Sequence, residues 1–335
     1  MDANDARKPD RRDVLHLAGA AAASVTLYGL PSAAAAASED RGPMKIATIG
    51  VMSPGDMGQA VAGQLKANGF GVLTALGQRS ERTRALAREA GLTDVGTLAR
   101  LVADCDVVLS IMNPGSALEF AREVAAALRA GGRSTLLVDC NAIAPTTVQE
   151  IATVIEGAGG RFLDGGIIGP PPRGGAKTNL YVSGRGAAVL EQLAGPQLRV
   201  HVLGDGRADA SALKMCYSAL NKGTQALWLE ALIAAQRLGV ADHLERQLQQ
   251  SQAERLSWAL GQFPILPPKA YRWVPEMEEI AKTMASSGIS SKVYDGAADT
   301  YRFVAASEIA KETPENRDRS RTGSDVVRML AQKRA

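Results

Sequence analysis

A chain of 335 residues has room for two domains of ordinary size, and 46% hydrophobic residues is normal for a globular protein. A formal charge of +3, with no long basic run before the tail, argues against a nucleic-acid-binding protein. The three cysteines, Cys105, Cys140 and Cys216, lack metal-ligand spacing, so no metal site is expected and Cys105 and Cys140 read as packing residues.

In chain order, residues 1–43 stand apart. Arg11 and Arg12 precede an alanine-rich apolar stretch that ends in small residues, Pro31 to Ala35. This looks like a twin-arginine export signal cleaved between Ala33 and Ala37, and its apolar part is too short for a membrane span. If the leader is used, the mature protein is periplasmic or exported and free of the membrane. If Met44 is the true start, the protein is cytoplasmic.

The stretch from Met44 to Ser80 reads as strand, glycine turn, helix, strand. Ile46 to Ile49 form a short apolar run suited to a buried strand. Gly55, Asp56, Met57 and Gly58 open a helix whose free N–H groups and positive dipole end suit a pyrophosphate. The G-x-G-x-x-G fingerprint is incomplete, because Ser53 takes the place of its first glycine. Gly50 supplies that glycine only if Val51 to Pro54 make a longer turn. After the second strand, Val72 to Leu76, no acid appears to accept from a ribose 2′-hydroxyl. Arg79 and Ser80 stand there instead, with Arg82 adding to the field, which favours NADP(H) over NAD(H). The other reading is that these arginines simply solvate a helix start.

Helices are expected at Glu81–Ala90, Thr97–Ala103 and Ala117–Ala130, with strands at Asp106–Ile111 and Thr135–Asp139. Met112-Asn113-Pro114-Gly115 is a turn and Cys140–Pro145 a loop, and strand-like pieces recur at Arg161–Leu163, Leu180–Ser183 and Val200–Leu203. The alternation predicts an α/β, Rossmann-type doubly wound, mostly parallel sheet over 44–205. An all-α C-terminal domain for substrate and dimerisation follows over 206–312, and a loosely attached polar tail over 313–335 carries one last helix near Ser324–Lys333.

The helix from Asp209 to Leu238, capped by Gly239, carries an apolar stripe of Leu213, Leu220, Leu227, Ala231 and Leu238. Lys214, Tyr217, Ser218, Asn221 and Gln225 share another face. A lysine amid such neighbours would be partly desolvated, which draws its pKa toward the range of a useful acid or base; by the helix alone, a solvated lysine on an exposed face is the stronger reading.

The order of motifs resembles the β-hydroxyacid dehydrogenase group, which includes 3-hydroxyisobutyrate and 6-phosphogluconate dehydrogenases. Ile49-Gly50 with Gly55-Asp56-Met57-Gly58 resembles its I-G-x-G-x-M-G turn, lengthened here, and Asp139 to Pro145 its D-x-S-T-x-x-P loop beside the nicotinamide. Asp164-Gly165-Gly166-Ile167-Ile168-Gly169-Pro170 takes the place of its D-x-P-V-S-G-G substrate loop, and Lys214 that of its catalytic lysine. Residues 210–215, Lys222-Gly223 and Trp273 to Ala281 are similar to a branch with a C-terminal domain of unknown function.

The resemblance implies hydride transfer between NADP(H) and a small hydroxy or carbonyl compound. Lys214 would move the proton, with Tyr217, Ser218 and Asn221 orienting the substrate oxygen. Met112, Asn113 and Asn141 would line the nicotinamide ribose, and Ile168, Gly169 and Pro170 the substrate, with Arg173 either compensating for a weakened carboxylate pocket or serving only as a surface loop residue. It also implies a homodimer of intertwined C-terminal helices, for which Leu244–Leu260 and Met277–Met284 are suited, although monomer packing explains them equally well.

The chain departs from the pattern in four places. Ser218 replaces the family's asparagine, and Asn221 replaces the glutamate acid of decarboxylating members. Ile168 and Pro170 replace serine and glycine, which weakens a carboxylate pocket of the family's kind. An imine reductase and a cofactor-binding protein without catalysis are the alternatives.

Overall fold

The computed structural model describes residues 44–332 apart from 78, 132 and 133. The leader with its paired arginines lies outside the described residues. The first half alternates β1 (Thr48–Met52), α1 (Asp56–Ala67), β2 (Gly71–Thr74), α2 (Glu81–Glu89), β3 (Thr93–Asp94), α3 (Leu98–Asp104), β4 (Val107–Ser110), α4 (Ala117–Gly131) and β5 (Leu136–Asp139). There follow α5 (Pro145–Glu156), β6 (Arg161–Ile168), β7 (Thr178–Ser183) and β8 (Leu198–Val202). The second half is helical: α6 (Asp209–Ser218), α7 (Thr224–Arg237), α8 (Ala241–Ser251), α9 (Ala253–Gln262), α10 (Ala270–Ser286), α11 (Lys292–Ala305) and α12 (Gly323–Gln332).

The strands make one eight-stranded sheet in the order β3-β2-β1-β4-β5-β6-β7-β8, parallel throughout except where β6 meets β7. Strands β4 and β5 lie at its centre and are buried at every residue, which is why they are written as unbroken apolar runs. Strand β1 runs on to Met52, so Gly50 lies inside the strand rather than in the turn. A Cβ on Gly50 would come within 3.1 Å of Cys105 Sγ and of Leu101, so its bare backbone serves the packing of α3 on the sheet. The expected longer turn is therefore corrected to Ser53–Gly55.

Two further expectations change. The segment Asp164–Ile168 is strand, not loop, and continues β6 to the edge of the cleft. The helix after Cys140–Ala144, α5, is an element that the loop reading stopped short of.

The helical half has its own core, built on Phe263, Met277, Ile280, Tyr301 and Val304. Helix α12 belongs to it: Val326, Val327 and Leu330 are buried, and the helix packs on α7 and α9. The polar stretch before it is tied down by Arg321, which donates to both Glu312 carboxylate oxygens at 2.6 and 2.9 Å. The expected loose tail is thus part of the fold.

The apolar stripe on α6 and α7 is not core. Leu220 is 75% exposed, Leu227 65% and Leu238 76%. The face turned inward carries Ala210, Ser211, Met215, Ser218 and Ala219, small enough to let α6 lie close on the sheet. One turn of π-helix, Ala219–Gly223, joins α6 to α7, and Gly239, with φ of +72°, follows the end of α7 as expected of a cap.

Truncating the last helix tests this packing. Leu330→Ala is expected to lower the unfolding free energy by about 2–5 kcal/mol. A loss below about 0.5 kcal/mol in a denaturant titration would show α12 to be dispensable.

Candidate active site and cofactor cleft

The carboxyl ends of β1, β4, β5 and β6 face α6, α7 and α10 across a cavity of about 560 Å³. Its floor begins at the start of α1. Gly55 is the N-cap of that helix, and no side chain caps it, so the first-turn N–H groups point outward without partners of their own. A Cβ on Gly55 would meet nothing within 4 Å, whereas one on Gly58 would lie 2.1 Å from the Ser53 carbonyl oxygen. The two glycines therefore differ in kind: Gly58 is required by the turn, and Gly55 leaves room beside an exposed helix dipole. That room fits a pyrophosphate. Ser53 serves the turn through its backbone, its N–H donating to Ile111 O at 3.1 Å and its carbonyl accepting from Gly55 N at 2.8 Å.

Lys214 reaches the cavity from α6. Its Nζ donates to the Cys140 carbonyl at 3.2 Å, at the end of β5. The helix is held in place by a buried latch in which Asp164 of β6 accepts from Ser211 N at 2.8 Å, Ser211 Oγ at 2.5 Å and Ser183 Oγ at 3.2 Å. Beside it, a Cβ on Gly166 would come within 2.8 Å of the Ala210 carbonyl and 3.3 Å of Lys214 Cβ, so only glycine lets α6 come this close. Burial pushes the Asp164 carboxyl up to about 7, and that of Asp139 up to about 6.

Asn141 lines the cavity, but its polar atoms are committed. Its Oδ1 accepts from Met112 N at 2.6 Å, and its Nδ2 donates to Ser110 Oγ at 2.7 Å and Asp139 Oδ2 at 2.8 Å. It therefore holds the β4 and β5 ends in register. Met112 is in the lining; Asn113 is not, and its side chain instead accepts from Gly115 N at 3.2 Å to close a turn.

The cavity brings together Asp56, Met57, Met112, Asn141, Ile168, Gly169, Pro170, Lys214, Tyr217, Ser218 and Asn221. Arg173 is not among them. Its guanidinium pairs with Asp56 Oδ1 at 2.6 Å, so its reading as a substrate residue is corrected to a neighbour of the α1 start. Arg79 and Ser80 lie beyond the cavity, between the end of β2 and the start of α2, where Ser80 Oγ caps α2 by accepting from Thr83 N at 3.3 Å.

The helical half adds residues not expected in the site: Lys222, Trp273 and Glu276, which stood out only for their likeness to the family branch, and Lys269 and Arg272. Glu276 is buried, pairs with Lys222, and accepts a hydrogen bond from Ser218. Lys222 Nζ also lies 5.3 Å from the centre of the Trp273 ring. Burial works to raise the Glu276 carboxyl, but Lys222 and Lys214 outweigh it and hold the group below the usual carboxylate range. Burial draws the Lys214 ammonium below the ordinary lysine value, with Glu276 opposing. The signal was available: Glu276 and Glu279 fall on the core face of α10 with Met277 and Ile280, where an acid needs a partner.

The sheet order, the uncapped α1 start and the cavity at the strand ends define a Rossmann-type dinucleotide-binding protein. Residues 45–194 match the NAD binding domain of 6-phosphogluconate dehydrogenase, and residues 235–304 match a domain of unknown function, DUF1932. An uncharacterized 28.5 kDa protein in the 7S RNA 5′ region of Methanothermus fervidus is 29% identical over 213 residues, 62% of this chain and 80% of that protein. A conserved protein of unknown function, described as structurally similar to 3-hydroxyacid dehydrogenases, is 30% identical with a TM-score of 0.53, over 77% of this chain and 100% of its own. The 3-hydroxyisobutyrate dehydrogenase of Mycobacterium tuberculosis shares the fold at 22% identity and a TM-score of 0.60, over 85% of this chain and 99% of its own. The chain belongs to the β-hydroxyacid dehydrogenase and 6-phosphogluconate dehydrogenase-like family of NAD(P)-binding proteins, in the branch that carries the C-terminal domain of unknown function.

The contrast between the two glycines is measurable. Gly55→Ala is expected to cost at most about 1 kcal/mol of stability, the scale of a cap change, while weakening nicotinamide-dinucleotide binding about tenfold. Gly58→Ala is expected to lose about 3 kcal/mol, the upper range for overpacking. Equal losses of stability in the two variants, with nucleotide binding intact in Gly55→Ala, would refute the assignment.

Proposed function

We propose that the protein is an NADP(H)-dependent oxidoreductase that interconverts a small hydroxy compound and its carbonyl form. The observation that carries this reading is Lys214, a desolvated amine in the wall of a cavity that extends to the uncapped start of α1. A nicotinamide held along this cleft, its pyrophosphate at the start of α1, would supply the hydride acceptor for oxidation and the donor for reduction. Lys214 does the proton work. One of its N–H groups is tied to the Cys140 carbonyl, and burial favours the neutral amine that accepts the substrate hydroxyl proton. Glu276 then stabilises the ammonium so formed.

Ser218 and Asn221 hold the substrate oxygen beside Lys214. Asn221 Oδ1 already accepts from Gln225 Nε2 at 2.6 Å, which leaves the Asn221 amide N–H groups to donate. Ile168 and Pro170 make that side of the cavity apolar. Lys269 and Arg272, also in the lining and in no ion pair among the described residues, give the cavity positive potential. An acid group on the substrate is met by these two cations rather than by Ile168 and Pro170. At the far end of the cleft, Arg79 and Ser80 favour the 2′-phosphate of NADP(H).

The protein is proposed to act as a homodimer. Met277 and Ile280 are used in the core of the chain itself, and they leave α10 little to offer a partner. The exposed leucines of α6 and α7, with α8, none of whose residues is buried, are the surface that a second copy would cover.

A panel of hydroxyacids, aldehydes and imines followed by NADPH absorbance tests the chemistry. Lys214→Ala is expected to lower turnover by about a hundredfold or more with nucleotide binding retained; intact turnover would sink the mechanism. The oxidation rate should rise with pH to a limb below the ordinary lysine range. Glu276→Gln, by removing the charge that favours the ammonium, should move that limb to lower pH. Light scattering of Leu220→Glu with Leu227→Glu should report a monomer where the unaltered protein is a dimer; an unchanged mass would place the interface elsewhere.

A further inference from the structure

The polar segment between α11 and α12 reaches back across the molecule. Glu315 lies in it, 233 residues from Arg82, and the two form a fork: Arg82 Nη2 donates to Glu315 Oε1 at 2.6 Å, and Nε donates to Oε2 at 3.2 Å. Arg82 is in the first turn of α2, at the far end of the loop that follows β2, the loop beside which the adenosine ribose of a dinucleotide lies in a sheet of this kind. Among the other charges that act on Arg82 is that of Asp56, at the start of α1.

The segment is built to present Glu315. Arg321 and Glu312 close its base with a second bidentate pair. At its tip, Thr313 N donates to Asn316 Oδ1 at 2.6 Å and Asn316 N to Thr313 Oγ1 at 3.3 Å. The Glu315 carboxyl accepts a further bond from Thr313, and with Arg82 beside it lies at about 2. The segment falls outside both matched stretches, 45–194 and 235–304.

The other cations at this end are differently placed. Arg84 is committed to the carbonyls of Arg79 and Gly77, at 3.0 and 3.1 Å. Arg88 is paired with Glu81 at 2.7 Å. The Arg79 guanidinium has no partner among the described residues. A nucleotide 2′-phosphate arriving here meets one open arginine and one held by a carboxylate.

We propose that Glu315 is a specificity-determining residue for the cofactor, occupying Arg82 so that a 2′-phosphate gains that arginine only by displacing it. A nucleotide without the phosphate leaves the fork intact. The segment thus reduces the preference for NADP(H) that Arg79 and Arg82 would otherwise impose, and brings the two cofactors closer in affinity. An exposed ion pair is weak, while an arginine–phosphate fork is strong, so displacement is feasible but not free. The inference rests on the dinucleotide reading above.

The test is fluorescence titration of the full chain with NADPH and, separately, NADH. Glu315→Gln is expected to tighten NADPH binding by about five- to tenfold and to leave NADH within about twofold. In an Arg82→Gln background, Glu315→Gln should bring no gain. Equal shifts for both nucleotides, or no shift with the melting temperature lowered, would reduce Glu315 to a structural tie and overturn the inference alone. Binding of neither nucleotide, in any variant, would overturn it together with the dinucleotide reading.

Discussion

The cavity depends on how closely α6 lies on β6. A helix seldom sits on a strand with backbone nearly touching backbone, because a Cβ normally intervenes. Here Gly166 removes that Cβ, and Asp164 supplies the fixings by accepting from both the backbone and the hydroxyl of Ser211. The lysine is one helical turn farther along, so its place is set by the strand beneath rather than by contacts of its own. Ala210 and Ser211 on the inner face of α6 follow from the same constraint, while Leu213 and Tyr217 are left outside.

A second constraint is electrostatic. The cavity gathers Lys214, Lys222, Lys269 and Arg272 around Glu276, its single buried acid from the helical half. That acid cannot satisfy all of them. Its strongest tie is to Lys222, so Lys214 is left near a negative charge without a direct bond to it. Such an arrangement lets an amine change its protonation state without breaking an ion pair, at a site where unpaired charge is otherwise costly.

Much of this could be read from sequence. The buried strands, the α1 start and the polar face carrying Lys214, Tyr217, Ser218 and Asn221 follow from periods of two and of 3.6 residues, which the chain displays clearly. The apolar stripe misled because leucines at helical spacing usually mark a core, and nothing local tells an inward leucine from an outward one. Arg173 misled because its partner, Asp56, is far away in sequence. The same holds for Arg82 and Glu315, and for Lys222 and Glu276. Local pattern reveals which residues share a face, but long-range charge pairing decides which of them are already spoken for. Helix α12 was found, yet its attachment was missed, since polar residues around Arg321 conceal a bidentate pair.

One modest contact limits how this molecule can move. Helix α5 has no capping side chain of its own; Glu279 of α10 supplies it, accepting from Ala144 N at 2.8 Å and Thr147 Oγ1 at 2.7 Å. The carboxylate sits at the positive end of a helix dipole and satisfies donors that would otherwise be orphaned. It therefore rivets the sheet half to the helical half immediately behind the cavity. A hinge that swings the halves apart would strip α5 of its cap at every opening. Motion of that kind therefore carries the loss of two charge-assisted bonds, about 1.5–3 kcal/mol each, that a rearrangement confined to the rim of the cleft does not.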